Sequence, residues 1–491
     1  MEPKGIVLDR SSRVSLQRQL EGALRDAILA GQLEAGERIL SSRDLQTHLG
    51  LSRNTIVGAL DQLQAEGYLV TVRGAGTFVA PTLHRRAADH RARAGAADLV
   101  PTEAAAAFLR SQFLAVNSNR AIPFRPGIPA LDLFPAAQLR RELAVSAWTP
   151  RALDYPEPLG DERLREAIAK RLHQTRGLAC TAGQVLIVGG AQAGMALIAR
   201  VLLKRGDAVI VEEPGYPSVR AVFAAERLRL IAAPVDDAGV NVARFAKRRA
   251  ALIHTTPSHQ YPTGAVLSLE RRLALLDWAR KNESWVIEDD YDSEFNYTGN
   301  PQPALHSLDT GDRVLYVGTF SKVLSPALRL AYIVVPESLR SAFVAAQQVT
   351  GAQPSTILQL AIARMMQGGH FGRHVTKMRK VYNERRLAVA SELERLLGDL
   401  VRVSDTRAGL HFIVHLPKSI PAIEVSRSAA ERGVVVPPLS SYFLNEPFLN
   451  GIVVGYASAP VPEAKRAVAT LAEILRAPAD LKRGDVVGAA P

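Results

Sequence analysis

Residues 314–329 read VLYVGTFSKVLSPALR. A β-branched, apolar run, Val314–Val317, has the composition of a buried strand. It leads straight into a glycine, two hydroxyls (Thr319 and Ser321), a lysine (Lys322), then Ser325-Pro326 and Arg329. A lone lysine is ordinarily a surface residue. One placed at the end of a buried strand among hydroxyls and an arginine is placed for chemistry, because ligands of α/β sheets bind beyond the carboxyl ends of the strands.

Three further segments have the same strand-then-polar form. GGAQAG at 189–194 follows Val185–Val188 and opens a helix. Free N–H groups at such a helix start bind phosphate, although the pattern also suits a dinucleotide or a plain turn. WVIEDDYDSEF at 285–295 carries an apolar strand into Glu288, Asp289 and Asp290. Those acids suit a cationic partner or a base, with magnesium as the rival ligand. TTPSHQYPTG at 255–264 follows Ala251–Thr255 and ends in a tight turn. A lysine beside phosphate-binding groups, with an acid available for a pyridinium nitrogen, suits a Schiff base with pyridoxal 5′-phosphate.

Around these segments strands and helices alternate from about Ala121: helices at Ala193–Leu203 and Leu269–Lys281, strands at Val209–Val211 and Trp285–Glu288. This predicts a mostly parallel sheet covered by helices on both faces. Beyond Pro336, longer helices with strands at Leu410–His415 and Ile452–Tyr456 predict a smaller α+β domain. The fold class is thus α/β over 121–478, preceded by a separate module over 12–80 and a linker over 81–120. A helix is expected at Ala104–Val116 and a frayed tail after Pro478. The linker arginines Arg85, Arg86, Arg91 and Arg93 suit either a solvated linker or phosphate contact.

The first module reads as three helices, Ser15–Ala30, a short one capped by Ser42, and one from Ser52 to Glu66, followed by a hairpin around Arg73-Gly74-Ala75-Gly76. Two helices joined by a tight turn form a helix-turn-helix. Its groove-facing tip would be Ser52, Arg53, Asn54 and Thr55; Arg reads guanine and Asn reads adenine. Net charge is +12 for the 491 residues, yet residues 1–80 hold nine basic and nine acidic side chains. DNA contact there rests on where the charges sit and not on their sum.

Composition excludes other classes. The chain is 47% hydrophobic and 22% charged, as globular proteins are. It has no apolar run of 18 residues, which argues against a membrane span. One cysteine, Cys180, makes neither an intrachain disulfide nor a structural zinc site. The opening MEPKGIVLDRSSR lacks an apolar signal core, so a cytoplasmic location is the expectation.

The segment AILAGQLEAGERILSSRDLQTHLGLSRNTIVGALDQLQAEGYLVTVRGAGTFV resembles the GntR winged-helix family. That resemblance implies DNA contact by Arg43, Arg53, Thr55 and Gly74, with Arg73 nearby; Leu40 stands where many relatives have proline. The motifs GGAQAGM, EEPGYP, TPSHQYPTG, EDDYDSEF and GTFSKVLSPALRLAY resemble fold-type I pyridoxal-phosphate enzymes of the class I aminotransferase group. They resemble most closely the MocR subfamily of GntR-type regulators, which join both parts in one chain. By this resemblance Lys322 forms the Schiff base, Asp289 meets the pyridine nitrogen and Tyr291 donates to the ring oxygen. Tyr216 stacks on the ring, and Ala191, Gln192, Thr319, Ser321 and Arg329 hold the phosphate.

The resemblance implies a homodimeric transcriptional regulator that binds double-stranded operator DNA. It would sense pyridoxal phosphate or an amine such as γ-aminobutyrate or taurine through an aldimine. The alternatives are an aminotransferase with a vestigial DNA-binding module, and a DNA-binding protein whose large domain only dimerises. Two departures bear on the choice. Tyr261 stands where class I aminotransferases place Asn before Pro-Thr-Gly, leaving His259 or Gln260 as possible ring contacts. Val453 stands where transaminases carry the arginine that clamps an α-carboxylate; Arg407 reads first as a surface residue, with contact to an anionic effector as the alternative.

Overall fold

The computed structural model describes residues 8–12, 14–81, 123–146, 149–297, 303–351, 353–404 and 407–477. The linker arginines, the helix expected at Ala104–Val116 and the tail after Pro478 lie outside them. The chain divides into two compact units, Met1–Val100 and Pro101–Pro491.

In the first unit, α1 (Leu16–Leu29), α2 (Ser42–Leu49) and α3 (Arg53–Ala65) precede an antiparallel hairpin of β1 (Leu69–Val72) and β2 (Gly76–Val79). Serines set the helix starts by accepting orphan N–H groups: Ser15 from Arg18, Ser41 from Asp44, Ser52 from Thr55. The cap of α2 is therefore Ser41, one residue earlier than the sequence suggested. Its hydroxyl also donates to Asp44 Oδ2 at 2.6 Å, which fixes the choice between adjacent serines. Gly50 ends α2 at φ 61°, the left-handed geometry that turns the chain toward α3. Leu20, Leu24, Ile28, Leu45, Leu51, Ile56, Ala59, Leu63, Leu69 and Val79 form one core. Residues 37–39 also pair with β2, through Ile39 N to Thr77 O and Val79 N to Glu37 O, both 2.9 Å.

The second unit is built on eight strands: β3 (Val185–Val188), β4 (Ala208–Glu213), β5 (Arg229–Asp236), β6 (Gly239–Val240), β7 (Leu252–Thr255), β8 (Trp285–Asp290), β9 (Val314–Thr319) and β10 (Ala331–Val334). Their order is β3-β10-β9-β8-β7-β4-β5-β6. Strands β9, β8, β7, β4 and β5 run parallel. β10 is antiparallel to both neighbours, which leaves β3 pointing the same way as the parallel set. Strands β3, β4, β7, β8, β9 and β10 are buried on both faces, with alternate residues packing against different helices, whereas β5 is partly exposed. Leu186 and Val188 join Met195, Ile198, Val219 and Phe223, while Val185 and Ile187 join Leu164, Ile168 and Leu172. Helix Ala191–Leu202 starts two residues before the expected Ala193, and β4, β8 and β9 run longer than predicted.

A smaller antiparallel sheet, β11 (Arg402–Val403), β12 (Phe412–His415) and β13 (Gly451–Val454), packs with helices His370–Leu397, Ala422–Glu431 and Val461–Arg476. Its last two strands are shorter than the sequence suggested. Among the described residues no helix is long and apolar enough to cross a membrane.

Candidate functional site

The carboxyl ends of β3, β4, β7, β8 and β9 open onto one edge of the sheet, and a cavity of about 260 Å³ lies there. Lys322, Asp289, Tyr291, Tyr216, Ala191, Gln192, Thr319, Ser321 and Arg329 all line it. Side-chain alternation along β8 explains which acid faces inward. Glu288 and Asp290 point to the opposite side. There Glu288 accepts the N–H groups of Leu305 and His306 at 2.9 and 2.8 Å, and Asp290 meets Arg176 at 2.9 Å and the Tyr316 hydroxyl at 2.5 Å. Burial alone would lower the Arg176 pKa, but Asp290, Tyr316 and Glu288 more than offset it and hold the guanidinium charged. Asp289, between them, faces the cavity with Oδ2 3.1 Å from His254 Nε2. The acidic run is thus three carboxylates with separate partners; among the described residues no three His, Cys, Asp or Glu side chains converge as metal ligands would.

Lys322 follows β9 by three residues and donates from Nζ to the carbonyl of Gly127 at 2.9 Å. Gly127 has φ 74°, and a Cβ there would come within 2.7 Å of Nζ, so a side chain at 127 would displace the amine. Desolvation lowers the Lys322 pKa, while Asp292 and Asp289 pull it back up. At the other end of the cavity, helix Ala191–Leu202 begins at Gly190 with no side-chain cap, leaving its first N–H groups available. Arg329, held at φ 48° after a 3-10 turn whose start Ser325 caps, brings its guanidinium close to Gly190.

Loop 255–264 is pinned by Glu212 at the end of β4. Thr255 and Thr256 donate hydroxyl hydrogens to it at 2.5 and 2.7 Å, and Gln260 donates its amide at 3.1 Å. Tyr261 lines the cavity, with its hydroxyl 3.3 Å from that of Tyr442. His259 and Gln260, the expected alternatives as ring contacts, are not lining residues; both are buried in side-chain bonds behind the wall. Val453 is fully buried among Tyr261, Ile413, Leu439, Tyr442 and Phe443. Arg407 is exposed and does not line the cavity.

Sequence reasoning missed Arg125, Gly127, Ser218, Thr256 and His411 among the lining residues, and His254 behind Asp289. The Phe124-Arg125-Pro126-Gly127 turn was the available signal for the first two. His254 carries none, since a single His in an apolar strand reads as core.

In the first unit, Ser52, Arg53 and Asn54 are exposed at the start of α3, with Thr55 half-buried beside them; Arg43 on α2 and Arg73 and Gly74 at the hairpin tip are exposed too. Among the described residues the side chains of Arg43, Arg53 and Arg73 have no hydrogen-bond or ion-pair partner, whereas Arg25 is held by Glu66 at 2.6 Å. Unpaired arginines at an exposed helix start and turn are suited to phosphate and base contacts.

Residues 131–450 match the family model of class I and II aminotransferases, and residues 16–79 match that of bacterial regulatory proteins of the gntR family. The probable rhizopine catabolism regulatory protein MocR of Rhizobium meliloti is 36% identical over 458 residues, covering 92% of each chain. The HTH-type pyridoxine biosynthesis transcriptional regulator PdxR of Corynebacterium glutamicum is 34% identical over 465 residues, covering 92% of this chain and 94% of its own. A crystal structure of Pyrococcus horikoshii kynurenine aminotransferase in complex with PMP superposes with a TM-score of 0.68 at 26% identity, over 77% of this chain and 95% of that one. The chain therefore belongs to the MocR subfamily of GntR-type transcriptional regulators, in which a winged helix-turn-helix is joined to a fold-type I aminotransferase-like domain.

Proposed function

We propose that this regulator binds operator DNA as a homodimer through its winged helix and binds pyridoxal 5′-phosphate at Lys322. Its signal is the cofactor itself or a primary amine entering the same cavity. One observation carries the reading: nine side chains and turns scattered from Ala191 to Arg329 line a single cavity whose donors complement that cofactor from end to end. The uncapped helix start at Ala191 and Gln192, with Thr319, Ser321 and Arg329, suits a phosphate dianion. Asp289, backed by His254, suits a protonated ring nitrogen, and the Tyr291 hydroxyl suits the ring oxygen. Tyr216 offers an aromatic face. Lys322 offers an amine whose lowered pKa leaves more of it neutral, hence nucleophilic, near neutral pH. When bound, the cofactor supplies an aldehyde that condenses with primary amines and a ring that withdraws electrons.

A ligand changes DNA affinity only if it binds two states of the protein unequally. Were an amine to take the place of Lys322 on a bound cofactor, the Lys322 side chain would be left free in the cavity, a local change able to separate two such states.

The DNA half is tested at Arg53. Arg53→Ala is expected to cost about 1–3 kcal/mol on the operator and to relax preference at one base pair. The measurement is a set of binding isotherms on operator variants. Equal losses at every sequence would remove base reading from Arg53 and leave it a phosphate contact.

A further inference from the structure

The hydroxyl of Tyr291 at the cavity wall lies 2.9 Å from Nδ1 of His259. The same nitrogen lies 2.9 Å from Oδ2 of Asp292. His259 and Asp292 are 2% and 3% exposed, and the other ring nitrogen, Nε2, is buried with no partner. A neutral imidazole carries one N–H and one lone pair. With the proton on Nε2, an N–H would be buried without an acceptor and the Nδ1 lone pair would face a carboxylate. With the proton on Nδ1, the carboxylate is satisfied and only a lone pair goes unmatched, the smaller cost. Nδ1 is then a donor and cannot accept from Tyr291. The Asp292 carboxylate also lies close to the phenol, but its Oδ2 is engaged by Nδ1–H, and the phenol proton is then free to turn to the cavity that Tyr291 lines.

The surroundings hold this arrangement. Gly409, at φ 83°, passes so close that a Cβ there would lie 2.1 Å from His259 Cε1 and 2.7 Å from Asp292 Oδ2. Its carbonyl is fixed by the hydroxyls of Tyr297 at 2.5 Å and Tyr456 at 2.7 Å. The other titratable groups facing the pair are Tyr261, Asp289, Asp290, Lys322 and His411. Burial, reinforced by His259, pushes His411 down to about 3, so it stays neutral across any practical titration. Tyr261 is turned to Tyr442 and does not share the task.

We propose that His259 and Asp292 are positioning residues that fix one imidazole tautomer and thereby commit the Tyr291 hydroxyl to donating into the cavity, onto the ring oxygen of bound pyridoxal phosphate. This rests on the cofactor reading above. A donor on that oxygen favours its anionic form and holds down the pH at which the bound cofactor's visible absorption titrates. The experiment loads the full chain with pyridoxal 5′-phosphate and follows that midpoint. His259→Leu is expected to raise it by about one unit, a tenfold change in proton affinity. Tyr291→Phe is expected to raise it at least as much, and His259→Leu added to Tyr291→Phe to raise it no further. His259→Asn, which keeps an N–H near the place of Nδ1, should stay near wild type. If His259→Leu fails to fold, His259→Phe, which keeps a ring of similar size but no N–H at the place of Nδ1, is expected to give the same rise. An unmoved midpoint in the folded variant, or an equal second rise on the Tyr291→Phe background, overturns the proposal. No visible band in the wild type, or a band unchanged in Lys322→Ala, overturns the cofactor reading itself and this inference with it.

Discussion

Lys322→Ala is expected to abolish both the visible absorption acquired on adding pyridoxal 5′-phosphate and the covalent fixation of the cofactor by borohydride. The wild-type chain should retain the cofactor on the peptide containing Lys322 after reduction and proteolysis, read by mass spectrometry. The expectation rests on placement. Nζ lies in the cavity 2.9 Å from the Gly127 carbonyl, and desolvation lowers its pKa. A folded-state pKa below the usual lysine value means the neutral amine is present at lower pH than on an exposed lysine. Fixation at Lys322 should therefore persist as pH falls through the range where surface lysines stop reacting. It is lost only when pH drops through the lowered value. Cofactor fixed with equal yield to many lysines, with no preference for Lys322, would contradict the site.

The second large effect concerns α-amino acids. Val453 is fully buried in an apolar cluster, where the resemblance leads one to look for a carboxylate-clamping arginine. A charge-assisted hydrogen bond contributes on the order of 1.5–3 kcal/mol. Without it, α-amino acids should bind weaker by roughly 10- to 200-fold than at a site holding that arginine, at tenfold per 1.4 kcal/mol. A primary amine with no α-carboxylate loses nothing by the change. Spectral titration of the cofactor-loaded protein with alanine, glutamate and a series of simple amines checks this. Amino acids saturating at lower concentration than every amine would show that another cation, such as Arg125 on the cavity wall, does the clamping.

What the sequence revealed and what it hid have physical reasons. The candidate site was legible because its segments follow buried strands: the local pattern singled out Lys322 after β9 and offered Glu288, Asp289 and Asp290 on β8, and the family resemblance chose Asp289 among the three. The winged helix was legible because Ser15, Ser52, Gly50 and Gly74 mark helix starts, a stop and a turn. Strand β5 escaped because RLIAAPVD includes Pro234, and its moderate alternation resembles a loop; the strand lies next to the sheet edge, where β6 is a two-residue pairing. Strand β10 also escaped, and with it its antiparallel direction. Alternating strands and helices suggest parallel neighbours, but between Thr319 and Ala331 there is only a 3-10 turn and no crossover helix. A parallel return needs such a crossover. The His259–Asp292 pair was hidden for a different reason: the two residues are far apart in sequence, and only the fold brings His259 between Tyr291 and Asp292.

The central claim is that the aminotransferase-like domain serves regulation. Its most direct test is the affinity of the full chain for its operator, measured by fluorescence anisotropy with and without pyridoxal 5′-phosphate and candidate amines, alongside product formation from amino acid and keto acid in the same samples. The predicted result is a change in operator affinity with the cofactor or one specific amine, absent in Lys322→Ala, and very slow turnover of α-amino acids. Brisk multiple turnover of glutamate or alanine, with operator affinity indifferent to every ligand, would contradict it.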